Sequence, residues 1–229
     1  ETAENGQSTA LTTIPLTRRE MKQLALVVTG AALFGLALRS GQPVGQNVGD
    51  LPTVRKIQDD RNSPATINPR ADVSLIVFTD YQCPACRASE GAMQEAAARD
   101  GKVRIVYKEW PIFGPRSERA ARVALASAYQ AIYPAVHHAL MTGSRPDDAM
   151  LRETIERAGG DWRQLERDLE THRADIDAEL ARNRMHAFSL GLEGTPAYLV
   201  GPILVKGGLS EAQFLRTIAA AREAKRPAQ

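Results

Sequence analysis

Two cysteines occur in this chain of 229 residues, three positions apart in Cys83-Pro84-Ala85-Cys86. A thiol attacks a disulfide as its thiolate and forms a mixed disulfide, which a second thiol within reach resolves. A gap of two residues gives Cys86 that reach, so Cys83 is expected as the exposed nucleophile and Cys86 as the shielded resolving thiol. Closing so short a loop barely restricts the unfolded chain, so a bond between the two adds little stability. The pair is chemical rather than architectural.

A reactive thiolate needs a setting that stabilises negative charge, and the amino end of a helix supplies one through its unpaired N–H groups and its dipole. Pro84 falls in the first helical turn, where a missing N–H costs nothing. The flanking segments fit that requirement. Val73-Ser74-Leu75-Ile76-Val77-Phe78 is a short β-branched apolar run of the kind found in buried strands. Arg87 to Asp100 is rich in helix formers and closes at Gly101, and Val103 to Tyr107 is a second strand. Strand, helix and strand make a βαβ unit with parallel strands and a right-handed crossover.

A metal site is the competing chemistry. Structural zinc takes four ligands, and only Cys83 and Cys86 are thiols. His137, His138, His172 and His186 fall on predicted helices further along, each expected at a solvated or core-edge position. Neighbouring His137 and His138 point about 100° apart on a helix and make a poor ligand pair. No metal is expected.

After the βαβ unit the pattern turns helical. Glu118 to Leu140 reads as helix with a break at Pro134, followed by Asp147 to Ala158 and by Asp161 to about Leu190. Leu165, Leu169, Ile176 and Leu180 place one apolar stripe on that last helix. Strands return after Gly194-Thr195-Pro196, at Ala197 to Val200 and Ile203 to Lys206. Ser210 and Gln213 then form a capping box, with Leu209 and Phe214 placed as a hydrophobic staple, and a final helix runs to about Ala224. The order β-α-β, helices, β-β-α is that of a thioredoxin core interrupted by a helical domain.

The amino-terminal part carries a different signal. Basic Arg18, Arg19 and Lys22 precede an uncharged apolar run from Gln23 to Leu38, the layout of an export signal or a membrane anchor. As a helix, Leu24 to Leu38 spans ~22 Å against a hydrocarbon core of ~30 Å, so both readings stay open. Thr17-Arg18-Arg19 resembles the start of a twin-arginine signal, although Met21 and Lys22 stand where two apolar residues are usual. Everything after Arg39 is expected outside the cytoplasm. The organisation expected is a polar tail (1–16), a signal or anchor (17–39), a linker (40–62), a thioredoxin-like core (63–114 and 191–229) and a helical insertion (115–190). The chain is 43% apolar, and 29 basic against 27 acidic residues leave a net charge of +2. That is enough to build a core, and it gives no reason to expect nucleic-acid binding.

The stretch Phe78-Thr79-Asp80-Tyr81-Gln82-Cys83-Pro84-Ala85-Cys86 resembles the active-site segment of DsbA-like oxidoreductases with an F-x-D-Y-x-C-P-x-C pattern. Glu109-Trp110-Pro111-Ile112 is similar to that family's step after the second strand, and Gly194-Thr195-Pro196-Ala197 to its cis-proline loop. The similarity spans about Ser63 to Ala221. It implies a cis Pro196 packed on the cysteine pair, a Thr195 backbone that pairs with an extended substrate, and a redox-active disulfide with no other cofactor. It implies an α/β, thioredoxin-like enzyme of the periplasm, expected to be monomeric, that forms disulfides in exported proteins and is reoxidised by a membrane redox partner. Asp80 and Glu109 could tune the thiol; the architectural alternatives are a strand-end cap for Asp80 and a surface carboxylate for Glu109. Ala85 stands where the best-known DsbA has histidine, which removes one donor to the thiolate and implies a milder oxidant. Thr195 before the proline is more typical of isomerase and reductase relatives. An envelope reductase or isomerase is therefore the alternative within this chemistry. An anchored peptide-binding or metal-delivery factor is the alternative from another class.

Overall fold

The computed structural model describes residues 17–19, 21–25, 27–29 and 44–225. Contacts divide the chain into two units, 1–42 and 43–229. In the first, the described residues of 18–29 are helical, and Met21, Leu24, Val27 and Val28 are exposed. Among the described residues no helix is long and apolar enough to cross a membrane. The expected tail (1–16) lies outside the described residues, as do 30–39 of the expected signal or anchor.

The second unit is built on a five-stranded sheet of β1 (Gln46–Asn47), β2 (Val73–Thr79), β3 (Val103–Glu109), β4 (Ala197–Val200) and β5 (Ile203–Lys206), in the order β1-β5-β4-β2-β3. β2 and β3 run parallel, with Val73 opposite Val103 and Thr79 opposite Glu109. β4 is antiparallel to both β2 and β5. The parallel pair is joined by α2 (Pro84–Asp100), which Gly101 ends in the left-handed region at φ 71°.

Alternation along the strands makes two cores, because successive side chains leave opposite faces. Val73, Leu75 and Val77 of β2 join Tyr198 and Val200 of β4 on the face covered by α2 and the last helix, α8 (Glu211–Ala224). Ile76, Phe78, Ala197 and Leu199 face the other way. Ser210 and Gln213 form the expected capping box on α8, and Leu209 and Phe214 are both buried.

The stretch expected as a linker (40–62) is corrected by what covers that second face. β1 pairs with β5, and α1 (Pro52–Asp59) buries Val54 and Ile57 beside Ile76, Phe78 and Leu204. Beyond α1, Lys108 Nζ, fully buried on β3, donates to Asp60 Oδ2 at 2.5 Å and to Ser63 Oγ at 2.7 Å. Burial opposes charge on Asp60, yet Lys108, the Asn62 N–H and Arg182 together outweigh it and hold the carboxyl below its usual range. An eight-residue helix with two apolar residues has little intrinsic stability, and the bare sheet face supplies the rest.

The insertion comprises α3 (Pro115–Ser127), α4 (Tyr133–Thr142), α5 (Asp148–Arg157), α6 (Trp162–Thr171) and α7 (Arg173–Ser189). The helix expected over 118–140 breaks earlier than Pro134, through a short 3-10 turn at Ala128–Gln130, and Pro134 sits in the first turn of α4. The helix expected over 161–190 is two helices hinged at His172, whose ring stacks on Tyr129 with centroids 3.7 Å apart. Leu165 and Ile176 still reach one core across the hinge, so a continuous stripe in the sequence concealed it.

Candidate active site

Cys83 is the N-cap residue of α2, in extended conformation, with Pro84 in the first turn. Its carbonyl accepts from Arg87 N at 3.2 Å, and its Sγ lies 3.2 Å from the carbonyl oxygen of Thr195. The Thr195–Pro196 peptide bond is cis, and Pro196 O accepts from Gly207 N at 2.8 Å, which joins the loop to the end of β5. Cys86, on the first turn of α2, is buried, and burial pushes its thiol up to about 12. Both cysteines are free thiols. The expectation of an exposed Cys83 is corrected: it is 2% exposed and Cys86 3%, because the Thr195 carbonyl closes over its sulfur. Thr195 Oγ1 is buried without a hydrogen-bond partner among the described residues.

Asp80 is buried at the end of β2, and its carboxylate is fully engaged. Oδ1 accepts from Gln82 N at 2.7 Å and Ser117 Oγ at 2.6 Å; Oδ2 accepts from Ile112 N at 2.7 Å and Phe113 N at 3.1 Å. It thus fastens the turn before Cys83 to the segment after β3 and to the start of α3. On the other side, Arg87 donates to Leu140 O at 2.5 Å and to Gly143 O, while Gln82 Nε2 donates to Pro146 O at 3.2 Å.

Glu109 is not on the surface but fully buried at the end of β3. Its Oε1 accepts from Tyr81 Oη at 2.5 Å and Tyr133 Oη at 2.6 Å. Tyr81 Oη also lies 2.8 Å from His137 Nδ1. A phenol has one proton, and Tyr81 spends it on Glu109, so Nδ1 carries a proton and donates. The opposite ring nitrogen, Nε2, faces Glu90 Oε2 at 3.6 Å, an ion-pair separation longer than a hydrogen bond. Burial disfavours charge on His137, but Glu109 and Glu90 outweigh it and raise its pKa to about 9. The surface or core-edge position expected for His137 is therefore corrected: it is 1% exposed, at the centre of a buried network. His138 is exposed, and His172 and His186 are half-buried. Among the described residues no group of three His, Cys, Asp or Glu side chains is arranged to hold a metal.

The family model for a DSBA-like thioredoxin domain matches residues 74–219. The chain belongs to this family. The DSBA-like core is seen again in a thioredoxin-like oxidoreductase from Silicibacter pomeroyi DSS-3, 37% identical with a TM-score of 0.68 over 72% of this chain and 95% of that one. The thiol-disulfide exchange protein alpha-DsbA2 from Wolbachia pipientis is 25% identical with a TM-score of 0.67, over 76% and 94%. Among curated proteins, the Na(+)/H(+) antiporter NhaA 1 of Mycolicibacterium vanbaalenii is 28% identical over 206 residues. Those cover 85% of this chain, which spans about a third of the antiporter's length, 32%. The redox group of DSBA-like proteins is a cysteine pair that cycles between dithiol and disulfide.

Within this DSBA-like site the structure brings Cys83, Cys86, Thr195 and Pro196 together and sets Asp80 directly before them. Glu109 reaches the site through Tyr81. Sequence reading missed Tyr81, Glu90, Tyr133 and His137 as parts of one network. Glu90 was accessible by spacing, since it follows Cys86 by four positions and both are buried on α2. Tyr133 and His137 come from the insertion and carry no sequence signal linking them to the cysteines.

Proposed function

We propose that this chain is a thiol–disulfide oxidoreductase of the bacterial cell envelope that introduces disulfides into exported proteins, with Cys83 as nucleophile and Cys86 as resolving thiol. One observation carries the reading: Cys83 Sγ at a helix start, 3.2 Å from the backbone carbonyl before a cis proline, with Cys86 buried one turn on. A substrate strand laid along the Thr195–Pro196 loop pairs with backbone there and presents its thiol to Cys83. The substrate thiolate attacks Cys83 Sγ in the disulfide form; the Cys83–Cys86 bond breaks, and Cys86 leaves with the electron pair and takes a proton. A second substrate thiol then displaces Cys83. The substrate has lost two electrons, the enzyme has gained them, and a membrane redox partner removes them.

The envelope setting is supported by the basic residues ahead of an apolar run, and by exposed Met21, Leu24, Val27 and Val28 in the described part of it. The similarity to a segment of an antiporter accords with work beside a membrane. Equilibration with glutathione buffers tests the direction: a potential near about −270 mV, that of a cytosolic thioredoxin, overturns the oxidase reading in favour of a reductase. Cys86→Ser should accumulate mixed disulfides with exported proteins in cells, and their absence removes the exchange reading altogether.

A further inference from the structure

The approach to Cys83 from the side of the insertion is an open cleft of about 560 Å³, lined by Gln82, Pro84, Phe113, Pro115, Arg116 and Arg145. Phe113 is 52% exposed, an apolar platform beside the reactive pair. Both walls are fastened to the residues around Cys83. Asp80 holds the Ile112 and Phe113 backbone and Ser117, next to Arg116. Arg87 and Gln82 hold the backbone at Gly143 and Pro146, on either side of Arg145.

The nearby carboxylates are engaged elsewhere. Asp148 pairs with Arg119 at 3.3 Å, Glu118 with Arg122 at 2.9 Å, and Asp147 caps α5 by accepting from Met150 N at 2.9 Å. Arg116 and Arg145 are exposed and form no ion pair with any described residue. An exposed aromatic ring lining the same cleft as two such guanidinium groups, next to the residues that flank Cys83, complements a chain bearing a carboxylate next to an apolar side chain.

We propose that this cleft selects the substrate. Cys83 exchanges preferentially with cysteines in extended protein segments that carry an acidic and an apolar side chain close to the thiol. The carboxylate pairs with Arg116 and Arg145, and the apolar group lies on Phe113. This rests on the thiol-exchange reading above and adds a substrate class to it; the bonds made and broken are the same.

The test uses the disulfide form of the protein, dithiothreitol as an uncharged substrate, and two dithiol peptides that differ only in Glu or Lys beside the first cysteine. The wild type should oxidise the Glu peptide about tenfold faster than the Lys peptide at low ionic strength, with the ratio falling severalfold at 1 M salt. In the double variant R116E/R145E the ratio should invert, and in R116Q/R145Q it should approach one. Equal rates for the two peptides in the wild type, or a preference that survives charge reversal, overturns the selection while leaving the exchange chemistry standing. If dithiothreitol itself is not oxidised, the exchange reading fails and this inference falls with it.

Discussion

Tyr81 Oη donates a hydrogen bond to Glu109 Oε1 at 2.5 Å. The residue two before Cys83 is thereby bound to the end of β3, and through His137 to the helical insertion. Active-site turn, sheet and insertion share one buried polar network, so a change in any of its members is felt at the others.

That network makes stability depend on pH. His137 has a pKa raised to about 9 from the usual 6.5, so its protonated form favours the folded state. The contribution is complete below about pH 6.5 and is lost as pH rises through 9, at most on the order of 3 kcal/mol. Urea unfolding of the wild type should show stability falling between pH 7 and 9.5, and His137→Gln should flatten that slope. A wild-type curve that is flat over this range would refute a charged His137.

Asp80 holds the segment after β3 and the start of α3. Asp80→Asn places an amide donor among four other donors and should cost about 1–3 kcal/mol by leaving part-buried donors without partners. Hydrogen exchange at the Ile112 and Phe113 amides should accelerate more than exchange in β4. Unchanged protection at those two amides would contradict the role.

Cys86 keeps its proton. With its thiol pushed up to about 12 by burial, a Cys83→Ser variant should develop no thiolate absorbance near 240 nm below pH 10. A transition with a midpoint near the ordinary ~8.5 would show that Cys86 is solvated.

Gly208 is required by close packing. A Cβ there would stand 2.6 Å from Ser89 Oγ on α2, and Ser89 is buried. Gly208→Ala should destabilise by about 1–3 kcal/mol through overpacking. Adding Ser89→Ala should recover part of that loss, so the double variant is more stable than the sum of the singles. Simple additivity would place the clash elsewhere.

Much of this protein is set by local chemistry and can be read from its residues. The CxxC spacing, the βαβ pattern around it, the Gly101 helix end and the Ser210 capping box depend on neighbours in the chain. So does the order of strands and helices that marks the family. Tertiary structure decided whatever depends on which surfaces meet. The helix at Pro52–Asp59 exists because a sheet face needed covering, and it stands where composition suggested a spacer. Cys83 is buried because a loop 112 residues away lays a carbonyl over its sulfur. Glu109 and His137 become partners because β3 and α4 pack them together behind Tyr81. Periodicity records which side of an element is apolar; it does not record which polar side chains of distant elements will share one dry site, where each must find its partner or lose its charge.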